Sequence, residues 1–409
     1  MSYFEEIVEG ELKSPSVFKE KYKLYPEYTP ERLPHREKQL KELAQRFKAI
    51  FSSPGEEMLR IVLSGSYGTG KTVTARVFGA TITALAKKRG INLKYVHVNC
   101  FKSRTLPQVV HSISAGLGIS LPQRGLSVQE LLKGLLDDME RKNTYALIAL
   151  DEFDYFMLSN SLTNPLYTLV RLYDDYSLER KRINYIFIVR DPSILEIGGE
   201  ASSSYFVKDI IAFPPYKSAE LYDILKERAG EALFPGVISD DGLKYISLLE
   251  GYDKGGPGSA RTALEILVRA GESADAERRG SISMDDIRKA QVVVRPETAL
   301  LQDQLHSLEK HELLIFLSVV KTLKETGSGF ARMGEVESTY RQICENYREK
   351  ARKHTQLYTY IMKMKNLGIL TARSSGKGYR GKSTLLGISG GPLDELEKRV
   401  EELLAGRGK

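Results

Sequence analysis

A glycine-rich octapeptide near the start of the chain has the residue types and spacing that bind phosphate groups. It matches the pattern G-x-x-x-x-G-K-[ST] in full and consists of Gly65, Ser66, Tyr67, Gly68, Thr69, Gly70, Lys71 and Thr72. Glycines let backbone N–H groups surround phosphate oxygens without Cβ clashes, and the start of a following helix adds a positive dipole end. Lys71 can reach the β- and γ-phosphates, and the Thr72 hydroxyl can bind Mg²⁺. The octapeptide therefore predicts a site for ATP or ADP with Mg²⁺.

Two adjacent carboxylates form the second candidate group. Residues 145–150 are an apolar run that ends in Asp151 and Glu152, which is the Walker B arrangement. We expect Asp151 to hold the Mg²⁺ shell and Glu152 to polarise the attacking water as a catalytic residue. An ordinary acidic strand end would look similar in isolation, but the phosphate-binding pattern upstream favours the functional interpretation.

The elements that must position these residues alternate between strands and helices. Residues 58–63 before the glycine-rich loop are typical of a buried strand, and 73–88 after it are typical of a helix. Further helices are predicted over 37–51, 127–141 and 164–176, and further strands over 93–99, 145–150, 183–189 and 210–213. Such alternation predicts an α/β domain with a parallel sheet.

After residue 213 the pattern changes twice. Four helices are predicted over 218–231, 239–250, 258–271 and 283–292, which is typical of a small helical lid. The last ~110 residues then combine helices with a β-hairpin, the plan of a winged helix. The predicted architecture is a P-loop parallel-sheet domain at 1–213, a helical lid domain at 214–296 and a winged-helix domain at 297–409.

Composition and charge narrow the function further. The chain has 409 residues and a net charge of +7, yet between Arg341 and Lys382 there are eleven Lys or Arg and only two acids. The net charge of this segment, 11 − 2 = +9, therefore exceeds the net charge of the whole chain. Such a concentration of positive charge predicts a polyanion-binding surface there. Cys100 and Cys344 lie far apart, so we expect reduced, structural thiols and a cytosolic protein. No apolar run of ~18 residues predicts a membrane span.

The basic segment contains a candidate recognition helix and a candidate wing. Leu357, Ile361, Met364 and Leu367 have helical spacing and predict a core stripe. The polar and basic positions around this stripe and in the following hairpin are the candidate DNA contacts: Arg352, Lys353, Thr355, Gln356, Thr359, Lys363, Arg373, Lys377, Tyr379, Arg380 and Lys382. A solvated basic face is the alternative, but residues 350–393 contain no acid at all.

These patterns together resemble the archaeal replication initiators of the origin recognition complex and cell-division-cycle type, which are AAA+ ATPases. The resemblance covers most of the chain and rests on four segments: 25–37, 151–154, 213–228 and 258–264. It implies that Tyr28, His35, Arg36 and Tyr216 surround the adenine, although His35 and Arg36 could equally cap the following helix. It also implies that Arg261 opens the sensor 2 helix and contacts the γ-phosphate, whereas its spacing alone equally allows a solvated arginine.

Two positions depart from this family pattern. The sensor 1 strand of the family usually ends in Asn-Asp, but here Arg190 precedes Asp191, and an arginine binds an anion without orienting water as an amide does. The segment 198–208, where the family usually places an arginine finger, contains no Arg. Because such a finger contributes ~10³–10⁵ to the rate of phosphoryl transfer, we expect slow hydrolysis.

The resemblance implies an ATP- or ADP-switched initiator that binds double-stranded origin DNA and helps to load the replicative helicase, with other initiator subunits as further partners. It places the protein in the cytoplasm, at the nucleoid. It further implies a second DNA contact near Lys102 and Arg104, a segment that otherwise predicts ordinary surface charge. Two alternatives remain open: a DNA-binding regulator with nucleotide as a structural ligand, and a clamp-loader-like ATPase.

Overall fold

The computed structural model divides the chain into two compact units. It describes residues 3–12, 15–160, 165–173, 179–198, 209–295, 305–306, 308–367, 369–374, 384–388 and 393–406. The first unit, called the α/β unit below, comprises Pro26–Ile224 and Gly251–Arg261. The second unit comprises Met1–Tyr25, Leu225–Glu250 and Thr262–Lys409.

A five-stranded parallel sheet forms the centre of the α/β unit. Its strands are β1 (Arg60–Ser64), β2 (Leu93–Asn99), β3 (Tyr145–Asp151), β4 (Ile183–Val189) and β5 (Ile210–Ala212). They lie in the order β2–β3–β4–β1–β5, so β4 separates the strand before the glycine-rich loop from the strand before the two carboxylates. Both β3 and β4 are buried at every position, as parallel strands covered on both faces are.

Helices cover both faces of this sheet. The first helix of the chain, α1 (Tyr3–Leu12), belongs to the second unit. The helices of the α/β unit up to β4 are α2 (Glu37–Arg46), α3 (Ala49–Ser52), α4 (Lys71–Lys88), α5 (Leu106–Leu117), α6 (Val128–Arg141), α7 (Phe153–Ser159) and α8 (Pro165–Val170). Alternate residues of β3 enter different cores: Ile148 packs with apolar residues of α5 to α8, whereas Leu147 packs with those of α2 to α4. This two-sided burial fixes the direction in which each strand end presents its side chains.

A run of helices comes after β5 in the sequence. They are α9 (Ser218–Ala232), α10 (Asp240–Glu250), α11 (Ala260–Ala276) and α12 (Met284–Val294). Ser283 and Asp286 form the capping box at the start of α12, as their spacing predicts. In the second unit, the N-terminal segment binds this helical region, since the Val17 N–H donates to Asp275 at 2.7 Å and the Lys19 N–H donates to the Ala232 carbonyl at 2.8 Å.

The C-terminal part of the second unit is a winged helix. Its elements are α13 (Lys310–Thr326), β6 (Ala331–Arg332), α14 (Met333–Asn346), α15 (His354–Asn366), β7 (Leu370–Ser374), β8 (Thr384–Ile388) and α16 (Leu393–Gly406). The strands pair antiparallel in the order β6–β8–β7. One apolar core, which includes Phe316, Tyr340, Leu357 and Leu386, joins the helices to the strands.

The structure confirms the predicted fold class and corrects two predicted helices. The helix predicted over 164–176 is represented by α8, which ends at Val170, and residues 171–173 form a turn. Residues 37–51 do not form one helix, because the Lys48 N–H bonds to the Gln45 carbonyl three residues earlier, which interrupts the α-helical pattern between α2 and α3. Cys100 and Cys344 are free and buried, as expected. Within the described residues, no helix has the length and hydropathy that a membrane span requires. The proposed domain boundaries at 213 and 296 stay predictions.

Candidate nucleotide site and DNA interface

The glycine-rich loop leads from β1 directly into α4, and three of its glycines have positive φ angles. These are 152° at Gly65, 75° at Gly68 and 88° at Gly70, where side chains other than glycine are strained. A Cβ on Gly68 would lie 2.0 Å from the Ser259 hydroxyl oxygen, and one on Gly70 would lie 2.7 Å from the Tyr216 hydroxyl oxygen. Glycines at these positions therefore let Ser259 and Tyr216 pack closely against the loop backbone.

Lys71 is the first residue of α4, and its ammonium group lies over the loop. Its Nζ donates to the carbonyl oxygens of Gly65 at 2.6 Å and Ser66 at 2.8 Å. Burial lowers the pKa of Lys71 to about 8, although the carboxylates of Asp151 and Asp154 work to raise it. At neutral pH the group remains mainly protonated, so a cation sits where the sequence pattern places the β- and γ-phosphates.

Thr72 and Asp151, the two predicted Mg²⁺ ligands, are brought together by α4 and β3. The Thr72 hydroxyl donates to Asp151 Oδ2 at 2.9 Å, and the Glu152 N–H donates to Asp151 Oδ1 at 2.9 Å. Burial works to raise the pKa of Asp151, but hydrogen bonds from His97 and Thr72 outweigh it and hold the pKa below its usual value. An ionised carboxylate beside a hydroxyl provides the hard oxygen donors that Mg²⁺ prefers, so these residues fit the ion.

Glu152 has a backbone conformation that is rare for residues other than glycine. Its φ and ψ angles of 54° and 39° are left-handed, and it lies at the N-terminal cap of α7. Such a conformation costs about 1–3 kcal/mol and persists where the surrounding structure enforces it, often at active sites. This left-handed residue ends the strand directly after Asp151 and begins α7.

Arg190 follows β4 and lies between the loop and α7. Its carbonyl accepts the Gly65 N–H at 3.1 Å, and its own N–H donates to Asp154 Oδ1 and Oδ2 at 3.0 Å each. The guanidinium lies 5.0 Å from the centre of the Tyr155 ring and donates to the Tyr155 hydroxyl at 2.6 Å. The sensor 1 position is thus adjacent to the loop, and its arginine is held by an aromatic side chain.

The start of α11 contacts the tip of the glycine-rich loop. The Ala260 N–H donates to the Gly68 carbonyl at 3.0 Å, and the Ser259 side chain lies against Gly68. The exposed guanidinium of Arg261 lies 4.7 Å from the centre of the Tyr67 ring. The sensor 2 candidate and the phosphate-binding candidate are therefore neighbours, as a shared γ-phosphate site requires.

Arg36 is the most deeply buried of the predicted adenine-pocket residues, with 2% of its surface exposed. Its Nε, Nη1 and Nη2 atoms donate at 2.9 Å to the carbonyls of Thr69, His35 and Pro214, respectively. Its guanidinium also stacks 3.7 Å from the centre of the Tyr216 ring. These contacts join the glycine-rich loop to the segment after β5. Arg36 therefore stabilises the position of the loop, whether or not it also touches a base.

Tyr216 is buried as well, whereas His35 and Tyr28 are more exposed. His35 has a left-handed φ of 63°, and its Nε2 lies 2.9 Å from Asp223 Oδ2. Tyr28 is partly buried. Their role around a base remains a prediction.

Two residues near the site were missed by the sequence analysis. His97 and Tyr95 alternate on β2, and the His97 Nε2 lies 3.1 Å from Asp151 Oδ2. The period of two in β2 puts both side chains on one face, but only the pairing of β2 with β3 shows that this face meets Asp151. The sequence does not specify that pairing.

The recognition-helix candidate α15 has the predicted amphipathic form. Leu357, Ile361 and Met364 are fully buried, but Leu367 is 41% exposed, so including it in the core stripe was wrong. The reason is that, at 3.6 residues per turn, Leu367 lies about 80° around the helix axis from Leu357 and so falls at the edge of the buried stripe. The predicted contacts on this side are all exposed: Arg352, Lys353, Thr355, Gln356, Thr359 and Lys363. Tyr358, 45% exposed, adds an aromatic ring that the sequence analysis did not single out.

Lys363 differs from its neighbours because it has a buried partner. Its Nζ lies 2.8 Å from Oε1 of Glu312, a residue of α13 with no exposed surface. The ion pair raises the pKa of Lys363 and joins the recognition helix to the core of the winged helix. Lys363 therefore has a structural role that its exposed position in the helical pattern does not reveal.

We expect Lys363→Met to lower the thermal unfolding midpoint, because it leaves the Glu312 carboxylate buried without its cation. Lys365→Ala is the matched control, since Lys365 is an exposed lysine on the same helix. Thermal unfolding followed by circular dichroism measures both variants. The double variant Lys363→Met with Glu312→Gln should recover part of the loss; equal midpoints for the Lys363 and Lys365 variants would contradict a structural role for this pair.

The wing is described only at its base. Arg373 lies in β7, which pairs with β8. Four predicted DNA contacts, Lys377, Tyr379, Arg380 and Lys382, lie outside the described residues, as does most of the segment where an arginine finger was sought.

The second DNA candidate lies in the α/β unit between β2 and α5. Lys102 and Arg104 are exposed near Phe101, and the Arg104 guanidinium lies 5.0 Å from the centre of the Phe101 ring. Phe101 in turn contacts Tyr155 edge to face, with centroids 5.3 Å apart. Arg104 thus contacts one ring of an aromatic pair whose other ring, Tyr155, holds Arg190.

The phosphate-binding loop, the paired carboxylates and the C-terminal domain define an AAA+ P-loop protein with a winged helix. Three family models match it in order: "AAA domain" over residues 58–197, "Cdc6 AAA+ ATPase-type lid domain" over 222–292 and "CDC6, C terminal winged helix domain" over 303–397. The ORC1-type DNA replication protein 2 of Sulfurisphaera tokodaii is 41% identical over 404 residues, which cover 98% of this chain and 96% of that protein. The chain therefore belongs to the family of ORC1-type DNA replication proteins, which confirms the resemblance seen in its sequence.

Solved structures are similar over the same length. The crystal structure of Cdc6p from Pyrobaculum aerophilum is 29% identical, covers 96% of this chain and 100% of that chain, and has a TM-score of 0.83. A structure of the Aeropyrum pernix ORC1 protein in complex with DNA is 27% identical, covers 96% of this chain and 99% of that chain, and has a TM-score of 0.60.

Proposed function

We propose that this protein is a replication initiator that binds ATP or ADP at its glycine-rich loop and duplex DNA through its winged helix. The observation that carries the proposal is the contact of Thr72 with Asp151 at 2.9 Å, beside the buried ammonium of Lys71. These groups come from two elements and together supply a cation, a hydroxyl and a carboxylate at one end of the sheet. That set suits a nucleoside di- or triphosphate with Mg²⁺.

Each site residue has a defined chemical task in this proposal. Lys71 binds the phosphate oxygens, while Thr72 and Asp151 hold Mg²⁺, which would neutralise the charge on the phosphates. Glu152 orients the attacking water and accepts its proton. Arg261 contacts the γ-phosphate from the start of α11.

The start of α11 contacts the glycine-rich loop directly, so the bound nucleotide can affect the position of its first residues. The Ala260 N–H is bonded to the Gly68 carbonyl, and Arg261 stacks on Tyr67. A γ-phosphate bound by Arg261 competes with the Tyr67 stacking, so ATP and ADP favour different positions of the Arg261 guanidinium. This local difference is the proposed basis of a nucleotide switch.

The DNA half of the proposal rests on the exposed face of α15 and on the basic segment around it. Cationic side chains on a helix can contact the phosphates of a major groove, and amide and hydroxyl side chains can contact its base edges. The structure of a relative, the Aeropyrum pernix ORC1 protein, is known in complex with DNA. We propose origin DNA as the ligand, with the replicative helicase and other initiator subunits as partners. Footprinting of the protein on genomic origin DNA tests the assignment, and protection no stronger than on random DNA contradicts it.

A second candidate function is supported by one observation. Arg190 replaces the amide of sensor 1, and its guanidinium is bound to the Tyr155 hydroxyl at 2.6 Å. An arginine held in this way does not orient water, which suits a DNA-binding regulator that keeps its nucleotide as a structural ligand. Hydrolysis and nucleotide-exchange rates distinguish the two functions, because a structural ligand exchanges slowly and is not turned over.

We expect slow hydrolysis in the isolated protein and a further decrease in Glu152→Gln, with nucleotide affinity unchanged. The amide keeps the size of the side chain but cannot accept the proton of the attacking water. Phosphate release and binding of a fluorescent ATP analogue measure the two quantities separately. Glu140→Gln, a change at the Arg182 ion pair of α6, is the control for loss of a carboxylate. A turnover on the order of ten per second in the wild-type monomer would contradict this mechanism.

A further inference from the structure

A line of hydrogen-bonded side chains reaches Asp151 from β2. The Tyr95 hydroxyl lies 3.0 Å from His97 Nδ1, and His97 Nε2 lies 3.1 Å from Asp151 Oδ2. The same Oδ2 atom accepts the Thr72 hydroxyl at 2.9 Å. One carboxylate oxygen is therefore held from two directions, by the helix after the phosphate loop and by the neighbouring strand.

The chemistry of the groups fixes the direction of these hydrogen bonds for a neutral imidazole. An ionised carboxylate only accepts, so His97 Nε2 must carry the proton that it donates to Asp151. Nδ1 of the neutral ring is then an acceptor, and the Tyr95 hydroxyl donates to it. Tyr95 thus selects the one tautomer of His97 that can bond to Asp151.

The packing around Tyr95, His97 and Asp151 keeps their side chains in place. A Cβ on Gly79 of α4 would lie 2.3 Å from Cδ2 of Tyr95, so a glycine at that position makes room for the tyrosine ring. His97 pairs with Ala149 in the sheet, two residues before Asp151, and its side chain reaches forward along the strand direction. The side chains of His97 and Asp151 are only 16% and 8% exposed, so water competes weakly for their hydrogen bond.

We propose that His97 is a positioning residue that holds Asp151 for the binding of Mg²⁺ with nucleotide, and that Tyr95 holds His97 in the required tautomer. The inference rests on the proposed function, because it needs a nucleotide at the glycine-rich loop. Partners that orient the carboxylates and imidazoles of metal sites typically contribute about 10–100-fold to metal affinity or activity. His97 and Tyr95 do not lie in the loop, so they should affect the Mg²⁺-dependent part of nucleotide affinity and leave the contacts of Lys71 and the loop amides unchanged.

Three variants of the full-length protein test this assignment. His97→Phe removes both ring nitrogens, His97→Gln keeps an amide N–H near the position of Nε2, and Tyr95→Phe removes only the hydroxyl. His111→Gln on α5 is the matched control for loss of a histidine in the same unit. The affinity for a fluorescent ADP analogue is measured by titration in Mg²⁺ and, in parallel, in EDTA, and unfolding midpoints without nucleotide check that each variant is folded.

We expect His97→Phe to weaken binding by about 10–100-fold in Mg²⁺ and by less than about twofold in EDTA. His97→Gln should keep most of the affinity, and Tyr95→Phe should show a smaller loss that again appears only in Mg²⁺. Equal losses in both buffers, or no loss in Mg²⁺, would overturn the role of His97. If His97→Phe does not fold, Tyr95→Phe decides the question, since its loss should appear in Mg²⁺ and not in EDTA. A wild-type protein that binds the analogue in neither buffer would overturn the proposed function itself and this inference with it.

Discussion

Replacing Lys71 with alanine is expected to abolish the stabilisation that ATP or ADP gives to this protein. A ligand that binds only the folded state adds RT ln(1 + [L]/Kd) to the free energy of unfolding, about 2.7 kcal/mol at a hundred times Kd. Lys71 provides the cation of the loop, and its ammonium already lies within hydrogen-bonding distance of two loop carbonyls. Without it, the loop amides alone bind the phosphates weakly. Thermal unfolding with and without ADP and Mg²⁺ measures the effect.

The quantity to compare is the shift produced by nucleotide, because the substitution also removes two hydrogen bonds inside the loop and a buried cation, and so changes the midpoint of the unliganded protein. Lys88→Ala is the matched control, since Lys88 is an exposed lysine at the other end of α4. It should keep the full nucleotide shift. An equal shift in Lys71→Ala and in the wild-type protein would contradict the phosphate-binding role of the loop.

The chemistry of the loop was predictable because its determinants are local. Spacing alone places Lys71 and Thr72 at the start of a helix, and the apolar run before Asp151 predicts a strand that ends at a carboxylate. Thr72 follows β1 and Asp151 ends β3. These two strands are parallel, so their carboxyl ends lie at the same edge of the sheet, and the contact between Thr72 and Asp151 follows from this. Local pattern and strand direction together therefore predict the central pair of the site.

Long-range partners could not be predicted in the same way. Arg36 is buried and donates to the carbonyl of Pro214, which is 178 residues away in sequence. In the sequence it is indistinguishable from an exposed arginine near a helix start. His97 is similar, because its role depends on which strand lies beside β2. Hydrophobic period specifies which face of an element is buried, but it does not specify the polar partners that the fold brings to that face.

Charge pattern has the same limit in the winged helix. The absence of acids over 350–393 predicts a basic surface, yet it does not show that Lys363 is paired with Glu312 of α13. Among the predicted contacts on α15, Gln356 and Thr359 are exposed, although the Thr359 hydroxyl also donates to the Thr355 carbonyl at 3.0 Å. Lys363 lies one turn after Thr359 on the same face of α15, so only its contact with Glu312 distinguishes it from the candidates for reading bases.

The wing and α15 are expected to contribute differently to DNA binding. Lys377, Arg380 and Lys382 belong to a glycine-rich hairpin, where long cationic side chains reach phosphates without a fixed geometry toward bases. Replacing the three with alanine should weaken binding to every sequence and reduce the salt dependence by up to about one unit of log–log slope per lost phosphate contact. Gln356 and Thr359 lie on a helix anchored by Leu357 and its buried neighbours. Replacing these two should mainly reduce the preference for origin sequence.

Affinity for origin and random duplexes of equal length, measured across a salt series, distinguishes the two effects. Arg399→Ala is the control for removal of an exposed cation, since Arg399 lies on α16 and pairs with Glu402 at 3.1 Å. The wing variant should lower both affinities in parallel and flatten both salt dependences. The α15 variant should lower the free-energy preference for origin over random DNA by about 1–3 kcal/mol per lost base contact and keep the salt slope. Equal losses on both duplexes with equal slopes in the two variants would show that the wing and α15 do not divide phosphate and base contacts in this way.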